Sequence, residues 1–232
     1  MEKNLVNQCF DAIKEGVISG KYWPGSKLNI SRIAAEMKIG PTPIREALSR
    51  LSTTGLVKYI DNCGFIAAPI SEIEVRDLFQ TFVELEQLAL EKALSHGQDA
   101  WETGIVAALY QLSLVEKGKT LTPHLYPLWK ERNDAFHRAL ISGCPSACLL
   151  GLRNDVYQRF DRYLNLIFSL EFKNQESVQL DHKEHELLAA VALERNKEKM
   201  AFLIKEHVTS SIDDFIQTFK QQKLISFRGS YE

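Results

Sequence analysis

The chain has 232 residues, 45% of them hydrophobic and 25% charged, with 28 Lys/Arg against 30 Asp/Glu and a formal net charge of −2. That is apolar material for one or two ordinary cores; no stretch approaches the ~20 apolar residues of a membrane span or has a secretory signal pattern, so a chain without membrane partners and a cytoplasmic location are expected. A near-neutral chain is no general polyanion binder, yet residues 1–70 hold nine Lys/Arg against six Asp/Glu and the remainder nineteen against twenty-four, a basic head on an acidic body.

In chain order, residues 5–18 carry apolar side chains at helical spacing (Leu5, Cys9, Phe10, Ile13, Val17) and predict an amphipathic helix. A turn over residues 20–25 follows, and then a second helix over 30–38 with Ile30, Ile33, Ala34 and Met37 on one stripe. A third helix is predicted to start at Pro43 with Thr42 as its cap, to bury Ile44, Ala47, Leu48 and Leu51, and to end at Gly55. Its outward face holds Arg45, Ser49, Arg50 and Ser52. Arg45 in the first turn opposes the helix dipole by ~0.3–1 kcal/mol, which points to an anionic partner outside. Residues 56–60 and 65–68, joined by Asp61-Asn62-Cys63-Gly64, predict a hairpin. Helix, helix and ribbon in this order make a winged helix-turn-helix, and such a head reads double-stranded DNA.

The strings PGSKL, IAAEMKIG and TPIREALSRLSTTGLV and the GFIAA wing resemble the DNA-binding domain of the GntR family of bacterial transcriptional regulators from end to end. The resemblance implies DNA contacts from Thr42, Arg45 and Arg50 on the recognition helix, from Ser31 on the preceding helix and from Gly64 at the wing tip. Two departures, Pro41 and Ser31 where the family commonly has Arg, remove two guanidinium contacts and imply a different operator, with Arg32 in a compensating position.

The domain boundary is expected at residues 68/69, with 1–68 the DNA-binding head and 69–232 an all-α antiparallel helical bundle, so the fold class is mainly α. Ser71 and Glu74 form a capping box for a helix to about residue 95, and further helices are predicted over 98–118, 122–142, 145–172, 175–195 and 197–224. Six helices after a winged head resemble the FadR subfamily in its shorter, VanR-like form, whose FCD-type domain binds an effector and dimerises.

Within the bundle, Asn133 and His137 share a helical face at i,i+4. His185 and His207 each lie eleven residues from Asn196, the turn of a predicted helical hairpin. At ~1.5 Å per residue both imidazoles stand ~16 Å from that turn and meet at one level. Three histidines from three helices make either a divalent-metal site or a hydrogen-bonded core cluster. FHRAL, EHELLAAVALERN and MAFLIKEH also resemble the subfamily's three metal-histidine motifs. The resemblance implies zinc, nickel or manganese on His137, His185 and His207, with Asn133 replacing the family's Asp as fourth ligand and Asp134 beside it. Where the subfamily often carries Arg four residues before a Glu to hold effector carboxylates, this chain has Phe82 before Glu86. The expected effector pocket therefore comprises Phe82, Glu86, Asp134 and Arg153; Arg159 and Arg162 read as surface charges paired with Asp155 and Asp161.

Three functions fit these residues. The first is a homodimeric, effector-controlled transcriptional regulator that is not an enzyme. The second is a metal-dependent hydrolase with Asp134 or Glu184 as general base. The third keeps the DNA reader and has lost the pocket.

Overall fold

A computed structural model of the chain describes residues 2–174, 178–179, 182–210 and 212–225. Helix α1 (Glu2–Ile18) is followed by α2 (Ile30–Met37) and α3 (Pro41–Leu51), a short 3-10 turn (Ser52–Thr54), and the antiparallel ribbon of β1 (Val57–Ile60) and β2 (Gly64–Ala67), with Val57 opposite Ala67 and Ile60 opposite Gly64. Apolar side chains of these elements (Cys9, Ile13, Ile33, Ile44, Leu48, Leu56) are buried together. Each element contributes one stripe, which is what its spacing predicts.

Two local expectations are corrected. Helix α3 begins at Pro41 after an extended Gly40, without any side-chain cap; Pro41 suits the first position as well as Pro43 does, having no N–H to lose. Thr42 is thus inside the helix. Arg45 is its fifth residue and lies beyond the first turn, where the dipole acts.

The remaining helices are α4 (Glu72–His96), α5 (Asp99–Glu116), α6 (Tyr126–Ile141), α7 (Ala147–Asn174), α8 (His182–Leu193), α9 (Lys197–Thr209) and α10 (Ile212–Gln221), with a small antiparallel ribbon of β3 (Thr120–Leu121) and β4 (Val178–Gln179). The mainly α fold class holds, and no described helix is long and apolar enough to cross a membrane. Where one helix over 175–195 is expected, residues 178–179 pair as a strand and α8 begins only at His182; residues 175–177 and 180–181 lie outside the described residues. The helix expected over 197–224 is two helices, parted after Thr209, whose hydroxyl donates to the Lys205 carbonyl. Short hydroxylated side chains compete in this way with the helix ladder.

The chain forms two compact units. One holds the described residues up to Arg76, Gln158–Ile167 of α7 and those from Asp214 onward; the other holds Asp77–Tyr157 and the described residues of 168–213. In the first unit Arg159 pairs with Glu74 at 2.7 Å, and Arg162 is 2% exposed and donates to the Ala68 carbonyl. Arg159, still 36% exposed, is thus engaged by Glu74 across the unit, and Arg162 is a buried cation rather than the surface charge that spacing implies. In the second unit α5 packs against α6 and α8, and α8 against α9. The Trp101 indole donates to the Leu140 carbonyl at 3.0 Å, tying α5 to α6. The α8–α9 turn is made by Arg195 at φ +56°, whose guanidinium donates to the carbonyls of Leu94 and Gly97 at 2.8 Å each.

Candidate functional site

The head presents a polar face on α3. Thr42, Arg45 and Ser49 are exposed while Ile44, Ala47, Leu48 and Leu51 are buried, so the residues that reach outward are those set between the apolar positions. Ser31 and Arg32 are exposed on α2, where the Arg32 Nε lies 3.0 Å from Glu36 Oε1. Arg50 is exposed as well and leans on α1: its Nη1 donates to Asn7 Oδ1 at 2.8 Å and its guanidinium lies 4.9 Å from the Phe10 ring centre. The wing turns through Asn62 at φ +62° and Gly64 at φ +89°, a left-handed conformation that glycine adopts at no steric cost.

In the second unit, His137 on α6, His185 on α8 and His207 on α9 converge, with ligand atoms within 4.8 Å of one another. Ring centres are 5.7 Å apart for His137 and His185, 5.2 Å for His137 and His207, and 5.2 Å for His185 and His207. The level meeting of His185 and His207 is the hairpin geometry expected from eleven residues on either side of Asn196. Asn133 lies one turn before His137 on α6 and is 8% exposed.

Two of the imidazoles are oriented by carboxylates. The His185 Nδ1 donates to Glu116 Oε2 at 3.1 Å, and the His207 Nδ1 donates to Glu184 Oε2 at 2.8 Å. With Nδ1 carrying the proton, each Nε2 keeps a lone pair, and the Nε2 of His185 is buried without a hydrogen-bond partner. A buried, unpaired acceptor among three imidazoles is the donor set a cation needs, so the residues fit a metal ion. Desolvation, followed by the neighbouring His207 and His185, pushes His137 well below the usual imidazole range, which keeps it neutral and able to donate a lone pair.

Glu116, the last residue of α5, also accepts from the Trp129 indole at 2.7 Å and from His182 Nδ1 at 2.5 Å. Burial alone raises its carboxyl; the bonds from His185, His182 and Trp129 outweigh that and hold it below the ordinary carboxylate range. Glu116, His182 and His185 form a second cluster of possible ligands. Atoms sharing one tetrahedral ion with ~2.0–2.1 Å bonds stand ~3.3 Å apart. The 2.5 Å contact between Glu116 and His182 is therefore a hydrogen bond.

Next to the histidines, the four expected pocket residues come together with two more. Arg153 pairs with Glu86 through Nε at 2.5 Å and Nη2 at 3.2 Å, and its guanidinium lies against the adjacent rings of Phe82 at 4.9 Å and Tyr157 at 4.6 Å. Asp134 accepts from Lys130 and from the Tyr157 hydroxyl. It is thereby committed away from the substitute metal-ligand role that its position suggests. Glu116, His182, Tyr157 and Lys130 escape sequence reasoning. His182 alone leaves a local signal, one helical turn before His185; the others are placed by tertiary packing.

Comparison with known proteins decides the family. Residues 5–66 match the model for bacterial regulatory proteins of the gntR family, and residues 77–210 match the FCD domain. The chain belongs to the GntR family. It is 31% identical over 211 residues to an uncharacterized HTH-type transcriptional regulator, BphR, of Paraburkholderia xenovorans, covering 90% of this chain and 84% of that one. It is 29% identical over 200 residues to the HTH-type transcriptional repressor GlaR of Escherichia coli, covering 86% and 90%. Among solved structures, E. coli McbR/YncC superposes with a TM-score of 0.71 at 18% identity, covering 93% of this chain and 98% of that one. This GntR protein is a DNA-binding transcriptional regulator with an effector-binding FCD domain.

Proposed function

We propose that this regulator is a cytoplasmic homodimer that reads a double-stranded operator with Thr42, Arg45 and Ser49 of α3, Ser31 and Arg32 of α2 and the Gly64 wing, and that a divalent cation on His137, His185 and His207 anchors its effector. The observation that carries the metal reading is the buried, unpaired Nε2 of His185 among three converging imidazoles. Asn133 brings a carbonyl oxygen as fourth donor. Three nitrogen donors favour zinc or nickel over manganese. When bound, the ion supplies an electrophilic point for an oxygen of the effector.

The side chains beside it support this division of labour. Arg153 is taken by Glu86 and Lys130 by Asp134, so an acidic effector group finds its cation in the metal, while the Phe82 and Tyr157 rings meet its apolar part. The same pairings speak for regulation over hydrolysis: Asp134 and Glu184, the two candidate bases, are both engaged, one by Lys130 and Tyr157 and the other by His207. Two heads are needed because one offers a single half-site.

Protein purified without a His-tag is analysed for bound metal, then for stabilisation by added zinc or nickel. One equivalent of metal, with a gain in unfolding temperature that is lost in His185→Ala, is the expected result. Less than about one-tenth of an equivalent and no stabilisation overturns the metal part and leaves a hydrogen-bonded histidine cluster. Light scattering is expected to give twice the 26.4 kDa chain mass; a monomer that binds the operator tightly overturns the dimer.

A further inference from the structure

The donor set on the histidine cluster carries no charge. Three imidazoles binding through lone pairs and one amide oxygen offer a dication nothing to neutralise it, and an uncompensated dication in a partly buried site is unfavourable. Two carboxylates lie directly behind the donors: Glu116 Oε2 on the Nδ1 of His185 at 3.1 Å and Glu184 Oε2 on the Nδ1 of His207 at 2.8 Å. They come from different helices, α5 and α8, and from opposite environments, since the Glu116 side chain is 1% exposed and that of Glu184 is 60% exposed.

We infer that Glu116 and Glu184 are positioning residues that together supply the two negative charges of the metal site, each through the histidine it bonds. A carboxylate on Nδ1–H fixes the tautomer, turns Nε2 toward the ion and makes the imidazole a stronger donor. Two such pairs match the charge of a divalent cation without any anionic ligand touching it. Glu116 is itself held in place: Trp129 fixes Oε1 at 2.7 Å and His182 shares Oε2 at 2.5 Å. His182 is thus a brace for the carboxylate.

This inference rests on the metal reading above, and its test separates the two. Zinc and nickel affinities of the full-length protein are measured by calorimetry for the parent, Glu116→Gln, Glu184→Gln and the double variant. Each single substitution keeps the shape and removes the charge, and is expected to weaken binding about 10- to 100-fold, with the double variant losing the product of the two. Glu184 is largely exposed, so Glu184→Gln gives a reading even where Glu116→Gln unfolds. Nitrogen-15 spectra of the metal-free parent are expected to show the Nδ1–H tautomer at His185 and His207, with Glu184→Asp restoring affinity at His207 in part. No uptake by the parent overturns the ion and, with it, the role of both carboxylates. Uptake by the parent with both Gln variants within twofold of it overturns the carboxylates alone, as does an Nε2–H tautomer at both histidines.

Discussion

Arg153 and Glu86 meet through two nitrogen–oxygen contacts while their side chains are 4% and 1% exposed. Such a pair is held less by its mutual attraction than by the cost of separating it. Two charges taken from water are tolerable together and intolerable singly. Arg153→Ala or Glu86→Ala alone is expected to cost about 3–5 kcal/mol in denaturant unfolding, whereas Arg153→Met with Glu86→Leu is expected to fall near the parent. Single variants within about 1 kcal/mol of the parent would show that the survivor reaches water, contrary to the burial described.

Arg45 and Arg50 separate two roles that sequence spacing assigns jointly. Arg45 is exposed on α3, so Arg45→Ala is expected to weaken operator binding by about 1–3 kcal/mol with stability unchanged. Arg50 is tied to Asn7 and Phe10, so Arg50→Ala is expected to destabilise the head as well as weaken binding. Anisotropy at fixed salt, run beside thermal unfolding, distinguishes them. Equal losses of affinity with equal stability would place both in the DNA interface alone.

Lys38 ends α2 in the left-handed conformation at φ +56°. A side chain there costs roughly 1–2 kcal/mol, against which glycine loses about 0.4–1 kcal/mol through the freer unfolded chain. Lys38→Gly is therefore expected to stabilise the protein by about 0.5–1 kcal/mol. A destabilisation would mean that the lysine side chain is used elsewhere.

The metal-free protein is expected to lose stability in mild acid. Burial and its neighbours hold His137 well below the ordinary imidazole value of 6.5 in the folded state. As pH falls below that value the unfolded chain takes up a proton that the folded chain refuses, so stability falls; above it neither state binds the proton and the term vanishes. Unfolding in chelator at pH 7.5 and pH 5.5, compared with His137→Phe, measures it. A pH dependence that survives the substitution undiminished assigns the effect to other groups.

The head was legible because each of its helices buries a single stripe and its turns carry Gly, Asn and Pro, so local chemistry and fold agree. The convergence of His185 and His207 was legible for a different reason: a helical hairpin converts distance from the turn into height, and Arg195 holds that turn. What spacing could not show were partners chosen across the unit. Glu116 closes α5 with no pattern around it, and Glu86 and Arg153 are 67 residues apart. Arg162 looks like a surface cation until the burial of its stretch of α7 is known. The start of α8 was expected too early because the pairing of Val178 and Gln179 with β3 is non-local.

Trp129 lends the metal site an optical probe of its own. Its indole donates to the same carboxylate that holds His185 and lies tilted against Phe168, ring centres 5.0 Å apart, so any change in charge at Glu116 is felt by the chromophore one hydrogen bond away. The chain has two other tryptophans, Trp23 and Trp101. With both replaced by Phe, the emission of a single ring follows metal and effector loading without a label.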